Sequence, residues 1–287
     1  MRFSSTIALG LLVGCLPPDT RPPPAEVLVD LRAASTTLDG VTTADGWRVR
    51  FDRVLVTVGS AGLRGDACDE YSGSGYTRVL DGRLAKSQKV GLMYGLGTCK
   101  FQFRARNPET DSLLGEGITE TDRNVLRIPG TDPFETDKGT TYFVRGSAEK
   151  AGVRKTFEWS FRRPRLAYDD CKTDAAASPE FTLSEDGART IELEVHAEAL
   201  FLDGLDLGTA QLRFEPFAAA DDGDGAITLD ELSKRSLVDA GITLVDAPAG
   251  WKTLADLLYQ GSFPKIVRVG ARGSCDVKLR DQGGPPR

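Results

Sequence analysis

The sequence predicts a mainly β fold: an antiparallel β-sandwich of broadly immunoglobulin-like type, followed by a small C-terminal α+β segment. Two patterns predict it. From residue 26 to about 200, apolar residues alternate with polar ones, as in Phe157, Trp159 and Phe161, and this period of two is typical of strands with one solvated face. Turn signals such as Glu149-Lys150-Ala151-Gly152 separate many short runs, which favours a sandwich.

The strands follow in order from Val27. In the segment WRVRFDRVLVTVG, the apolar residues up to Phe51 are odd-numbered and those from Val54 onward are even-numbered. This change of phase predicts a β-bulge near Asp52 and Arg53. Further strands are predicted at residues 89–96, 99–104, 141–148, 179–185 and 189–200, with a second hairpin turn at Glu185-Asp186-Gly187.

We assign the β-sandwich domain to residues 26–168. Residues 169–280 are expected to add strands, an acidic loop and short helices. The helices are predicted at 229–237 and 253–260, the second with Thr253 as N-cap and Asp256 at the third helical position. A last strand is predicted at 266–269, and residues 281–287 are expected to form a flexible tail.

The composition excludes several classes of protein. The chain has 287 residues, 40% hydrophobic and 27% charged, which is typical of a globular protein and not of a disordered or multi-span membrane protein. The chain has 42 acidic and 36 basic residues and therefore a net charge of −6, which argues against a nucleic-acid partner. A single histidine, His196, leaves little for histidine-based catalysis or a multi-histidine zinc site.

The N-terminus has the features of an export signal. Its apolar run, residues 7–13, is too short to span a bilayer, since a spanning helix needs about 20 apolar residues. The tetrapeptide Leu12-Val13-Gly14-Cys15 resembles the lipobox of bacterial lipoproteins. The resemblance implies that residues 1–14 are a signal peptide and that Cys15 is lipidated, with residues 15–25 as a Pro-rich tether. The alternative is an ordinary secretory signal with an incidental cysteine.

Four cysteines remain once Cys15 is assigned to lipid. An even number in an exported chain indicates two disulfides. Three pairings are possible, and we favour Cys68–Cys99 with Cys171–Cys275 because each pair stays within one half of the chain. A four-cysteine metal site is the weaker alternative, because no two of these cysteines are two to four residues apart.

The stretch ADDGDGAITLDE, residues 220–231, resembles the calcium loop of EF-hand proteins. The resemblance implies that calcium is held by Asp222, Asp224, the carbonyl of Ala226 and Glu231. The spacing reflects the chemistry of the ion, since calcium takes six to eight oxygen ligands that must converge from alternate residues.

The loop departs from the family pattern at its first position, where Ala220 replaces an aspartate. Asp221 is adjacent but is expected to point away, so one carboxylate is missing. Weak calcium binding, with a Kd of about 10⁻⁴ M or higher, and a vestigial, metal-free loop therefore both stay open.

A second polar group lies on the predicted strand 189–200. Glu194, His196 and Glu198 recur every two residues and therefore share one face. Partners from a neighbouring strand could complete a transition-metal site there. A solvated sheet face is the simpler interpretation.

The order of lipobox, Pro-rich spacer, strands and DGDG loop resembles uncharacterised lipoproteins of myxobacteria. That resemblance implies a location in the cell envelope, at the periplasmic or surface face of the outer membrane. It implies no established activity. We expect a non-enzymatic protein with a lipid anchor in the membrane and a structural calcium ion. The alternatives are a ligand-binding or adhesion sandwich whose Tyr71 and Tyr76 contact glycan or protein, with a metal-free loop, and an enzyme built on Glu194, His196 and Glu198.

Overall fold

The computed structural model of the protein describes residues 22–72, 74–129, 139–162, 166–173, 176–244 and 250–279. The predicted signal peptide at 1–14, the predicted lipidation site Cys15, most of the predicted tether at 15–25 and the predicted tail at 281–287 lie outside these residues. Within the described ranges, no helix combines the length and the apolar character needed to cross a membrane.

Strands dominate the described part of the chain. They are β1 (Ala25–Ala33), β2 (Val41–Thr42), β3 (Arg48–Ser72), β4 (Ser74–Asp81), β5 (Gln88–Ala105), β6 (Leu113–Leu114), β7 (Tyr142–Lys150), β8 (Val153–Phe161), β9 (Leu166–Lys172), β10 (Glu180–Leu183), β11 (Ala188–Val195), β12 (Ala226–Ile227), β13 (Val267–Val269) and β14 (Ser274–Leu279). The α-helices are short: α1 (Ser35–Asp39), α2 (Glu120–Arg127), α3 (Glu215–Ala218), α4 (Leu229–Lys234) and α5 (Leu254–Asp256). A 3-10 helix covers Ala197–Phe201, a π-helical segment Leu257–Ser262 and a 3-10 turn Phe263–Lys265.

The strands form one large mixed sheet. Its main path runs β12, β8, β7, β3, β5, β1, β11, β13, and the other strands pair off this path. The prediction of a mainly β fold is confirmed. Most pairs are antiparallel, but β1 runs parallel to β11, β4 to β6 and β12 to β8, so the sheet is not purely antiparallel. The immunoglobulin-like arrangement stays a prediction.

The bulge predicted in β3 is confirmed. Phe51 and Arg53 lie opposite the consecutive residues Gly146 and Arg145 of β7, so Asp52 is the additional residue. One extra residue moves the following side chains to the other face of the strand. The apolar residues on both sides of Asp52 therefore reach the same core.

The two predicted hairpin turns have different outcomes. Ala151 and Gly152, with φ of 51° and 81°, connect β7 to β8, and these strands pair along their whole length. The turn before β11 does not close a hairpin, because β10 pairs with β5 whereas β11 pairs with β1 and β13. Residues 89–96 and 99–104 belong to the single strand β5, and the strand predicted at 189–200 ends at Val195.

One core continues through both predicted regions of the chain. It contains side chains from β1, β3, β5, β7 and β8, and equally from β11 and the C-terminal helices. Near its centre five aromatic rings pack with centroids 4.8 to 6.2 Å apart, those of Phe157, Trp159, Phe201, Phe214 and Phe217. The boundary predicted between residues 168 and 169 falls within β9.

Both favoured disulfides are present. Cys68 of β3 is bonded to Cys99 of β5, and Cys171 of β9 is bonded to Cys275 of β14. The first joins neighbouring strands, and the second attaches the C-terminal strand to the sheet. Two structural disulfides are typical of chains that fold in an oxidising compartment outside the cytoplasm.

The predicted C-terminal elements form in shortened versions. Helix α4 ends at Lys234, before the predicted residue 237, and β13 covers Val267–Val269 of the predicted 266–269. Thr253 caps α5 as expected: its side chain accepts a hydrogen bond from the Asp256 N–H, and the Asp256 carboxylate accepts one from the Thr253 N–H. This reciprocal arrangement satisfies two backbone donors at the helix start.

Candidate functional site

The acidic loop, residues 220–231, is held against strand β8. Its strand β12 pairs in parallel with Thr156 and Phe157. Ile227 is 1% exposed, and its carbonyl accepts a hydrogen bond from the indole Nε1 of Trp159 at 2.8 Å. The backbone of the loop is therefore fixed by the core of the protein.

Gly225 makes a sharp turn in the loop. Its φ of 86° lies in the left-handed region, which glycine adopts without steric cost. Its carbonyl accepts a hydrogen bond from the Thr156 N–H at 2.8 Å. The turn thus carries the chain directly from the acidic segment into the pairing of β12 with β8.

Four acidic side chains converge in the loop. Asp221, Asp222, Asp224 and Glu231 each offer a carboxylate oxygen, and these oxygens all lie within 4.8 Å of one another. Calcium binds oxygens at about 2.3–2.6 Å, so two ligands on opposite sides of one ion lie about 5 Å apart. The spacing fits a single coordination shell. The expectation that Asp221 points away is wrong.

Asp221 turns inward because two partners hold it. Its Oδ1 accepts a hydrogen bond from the Gly225 N–H at 2.8 Å, and its Oδ2 pairs with the Lys155 ammonium of β8. The hydrogen bond from Lys155 lowers the pKa of Asp221, and this effect and the backbone donors outweigh the effect of desolvation. Asp221 thus supplies the carboxylate that Ala220 lacks at the start of the loop. The ammonium of Lys155, which pairs with Asp221, would compete with a bound metal ion for this carboxylate.

Glu231 already takes part in the hydrogen bonds of the loop. Its Oε2 accepts from the Thr228 N–H and hydroxyl, each at 2.7 Å, which forms a capping box at the start of α4. Its Oε1 accepts from the Asp222 N–H at 2.8 Å. An ionised carboxylate has about four lone-pair sites, so both oxygens retain capacity for a cation.

The predicted ligand set is therefore brought together in part. Asp222, Asp224 and Glu231 converge as predicted and are joined by Asp221. Ala226 begins β12, and its N–H donates to Asp224 Oδ1 at 2.7 Å. A set of hard carboxylate oxygens matches the chemistry of calcium better than that of softer metals.

Glu194, His196 and Glu198 also meet, but not on a sheet face. Strand β11 ends at Val195, and Glu198 lies in the following 3-10 helix. The three residues are 6%, 7% and 8% exposed, respectively, so the interpretation of a solvated face is wrong. Thr37 of α1 stabilises this change of direction, because its hydroxyl donates to the Val195 carbonyl at 2.7 Å and accepts from the Ala197 N–H at 2.9 Å.

His196 lies between two carboxylates. Its Nδ1 donates to Glu198 Oε1 at 2.9 Å, while its Nε2 lies 3.2 Å from Glu194 Oε2 without the alignment of a hydrogen bond. Arg32 Nη2 donates to Glu194 Oε1 at 2.6 Å. Burial raises the pKa of Glu198, whereas the hydrogen bond and charge of His196 lower it. The lowering effects are larger in sum, so the pKa of Glu198 lies below its usual value. The Glu–His–Glu cluster is thus a buried hydrogen-bonded group to which Arg32 contributes.

The Glu–His–Glu cluster does not form a metal centre of the predicted kind. Within the described ranges, only the acidic loop brings three or more potential ligand atoms within 4.8 Å of one another. Tyr76, proposed for glycan contact, is 65% exposed on β4, whereas Tyr71 is partly buried on β3.

Sequence reasoning missed Lys155 and Arg32, which pair with acids of the two clusters. Both lie on strands where charged residues alternate with apolar ones, a pattern that indicates only an outward-facing side chain. No local signal shows that Lys155 meets a loop 66 positions later or that Arg32 meets Glu194 162 positions later.

We compared the chain with protein-family models, curated proteins and solved structures. No protein-family model matches the chain, and neither the curated proteins nor the solved structures contain a match.

Proposed function

We propose that this chain is an exported, lipid-anchored and non-enzymatic β protein whose acidic loop binds calcium as a structural ion. The convergence of four acidic side chains within 4.8 Å carries the proposal. Lipidation of Cys15 rests on the lipobox resemblance of Leu12-Val13-Gly14-Cys15, and the two disulfides are compatible with an address at the outer membrane.

The residues that would hold the ion are Asp221, Asp222, Asp224 and Glu231. Calcium, when bound, supplies positive charge that offsets the mutual repulsion of these carboxylates. The loop contains β12 and is fixed to β8 through Ile227 and Trp159. The expected benefit is therefore structural, a firmer attachment of the C-terminal region to the sheet.

A metal-free loop is the second candidate, and the hydrogen bonds of the loop favour it. Asp221, Asp224 and Glu231 each already accept backbone N–H groups, and Lys155 offsets one negative charge. In that case the protein is a ligand-binding or adhesion module, and calcium leaves its stability unchanged.

Thermal unfolding with and without calcium distinguishes the two candidates. At a calcium concentration ten times Kd, binding stabilises the folded state by about 1.4 kcal/mol, which raises the Tm by about 3 °C for a chain of this size. Glu231→Gln is expected to abolish the rise, because it removes a charged ligand while glutamine still serves the capping box.

Asp230→Asn is the matched control for Glu231→Gln. Asp230 precedes Glu231, pairs with Lys234 and lies outside the convergent group. The variant should keep the full rise in Tm. A Tm that does not respond to millimolar calcium contradicts the calcium site. If both variants lose the rise in Tm equally, calcium acts through the net negative charge of the region and not through a specific site.

A further inference from the structure

A cleft of about 630 Å³ lies between the C-terminal helical turns and strand β14. Most of its wall is apolar, formed by Leu205, Leu207, Trp251, Pro264, Val267 and Val277. Clefts of about 300–1,000 Å³ with apolar walls and a few polar groups are the usual form of small-molecule sites. The cleft is separate from the acidic loop.

The charged groups of the cleft are mainly positive. Lys265, Arg268 and Arg272 line it, and Asp206 is the one acidic residue among the described residues that do so. The chain as a whole carries a net charge of −6. Glu194 and Glu198 offset part of the charge of Arg268, and the positive charge that remains at the cleft favours a negatively charged ligand group.

Lys265 is the polar group best placed to receive that ligand group. Its Nζ donates to the Leu205 carbonyl at 2.6 Å and contacts the Gly204 carbonyl at 3.4 Å. An ammonium has three N–H donors, so a third donor remains. Burial lowers the pKa of Lys265 to about 8, Arg268 acts in the same direction, and Asp206 opposes them. An anion beside Lys265 would compensate the cost of burying its charge.

The wall of the cleft is held in place by interactions of its own. The Trp251 indole donates to Gln260 Oε1 at 2.9 Å, and the Tyr168 hydroxyl donates to the Pro264 carbonyl at 3.1 Å. The disulfide between Cys171 and Cys275 fixes β14. A preformed site lowers the entropy lost on binding.

We propose that this cleft binds a small anionic amphiphile, with a carboxylate head beside Lys265 and an apolar tail against Trp251 and Leu207. Charge complementarity selects the head, and the apolar wall selects the tail. The proposal stands independently of calcium binding and of the lipid anchor.

Isothermal titration of the oxidised protein with two probes tests the proposal. Decanoate and decyltrimethylammonium have the same ten-carbon tail and opposite head charges, and each is used below its aggregation concentration. We expect decanoate to bind about tenfold more tightly than the cation. Lys265→Gln should weaken decanoate binding about tenfold, because it removes the charge and keeps a similar length.

Two further variants keep the test decisive. Lys86→Gln removes an exposed lysine that pairs with Glu116 outside the cleft, and it should leave decanoate binding unchanged. Leu207→Glu adds a negative charge at a side chain that is 38% exposed, so it should weaken decanoate binding without disturbing the core, even if Lys265→Gln fails to fold.

Three results would overturn the proposal. Equal affinity for the two probes would show that the charge of the head group does not affect binding. The absence of decanoate binding would remove the site. A loss of affinity in Lys86→Gln as large as that in Lys265→Gln would assign the effect to net charge and not to the cleft.

Discussion

The acidic loop and the Glu–His–Glu cluster contain the same kinds of side chain in opposite surroundings. In the loop, the side chains of Asp222 and Asp224 are exposed, and the carboxylates of Asp224 and Glu231 accept hydrogen bonds from backbone N–H groups. In the cluster, Glu194 and Glu198 are less than a tenth exposed, and their neighbours are His196 and Arg32.

This difference shows where a free cation can act. A buried carboxylate needs a partner built into the chain, because its charge is costly without one. An exposed carboxylate can take its neutralising charge from solution. The loop is therefore the better candidate for an ion, and the cluster the better candidate for a fixed contribution to stability.

Removing the central residue of the cluster should have the largest effect. His196→Ala removes the His196 donor from the buried carboxylate of Glu198, and leaving a buried charge without such a partner lowers the free energy of unfolding by about 3 kcal/mol or more. Urea unfolding followed by circular dichroism measures the change. A loss below about 1 kcal/mol would mean that the cluster resembles an exposed pair, and the contrast with the loop would fail.

The response of the cluster to pH should be intermediate in size. Because the folded-state pKa of Glu198 is below its ordinary value of 4.5, its stabilising contribution is fully present above that value and is lost as pH falls through the folded pKa. Urea unfolding of the native protein and of Glu198→Gln, at about pH 7 and about pH 3, measures this window. The gap in stability between the two proteins should narrow at the lower pH, and a constant gap would contradict the assignment.

Removing the capping residue of the loop should have the smallest effect. Without calcium, Glu231→Ala loses the hydrogen bonds to Thr228 and should cost about 1 kcal/mol, whereas Glu231→Gln should cost only a few tenths. Unfolding in the presence of a chelator measures both variants. If the two variants lose equal stability, the charge of Glu231 matters more than its cap, and the loop is closer to the cluster than the structure indicates.

Much of the fold could be predicted from local pattern. The change of phase around Asp52 located the bulge, and Thr253 and Asp256 located a helix start. The pairing that keeps each cysteine pair within one half of the chain is the one that forms. Each of these features depends on residues close in sequence or on simple counting, so the pattern contains the necessary information.

The partners of strands and charges could not be predicted in this way. Alternation indicates which face of a strand is apolar but not which strand lies beside it, so the parallel pairing of β1 with β11 had no local signal. The burial of Glu194 depends on Arg32, and the orientation of Asp221 depends on Lys155. Both contacts exist only after distant segments have met.

The two residues of β12 also have a consequence for association between molecules. On the side away from β7, β8 would otherwise offer unpaired backbone groups at Thr156 and Phe157, and β12 occupies them. Uncovered strand edges are templates for pairing with another chain. The short segment after Gly225 therefore covers part of this edge, and a change that detaches it is expected to lower the solubility of the protein.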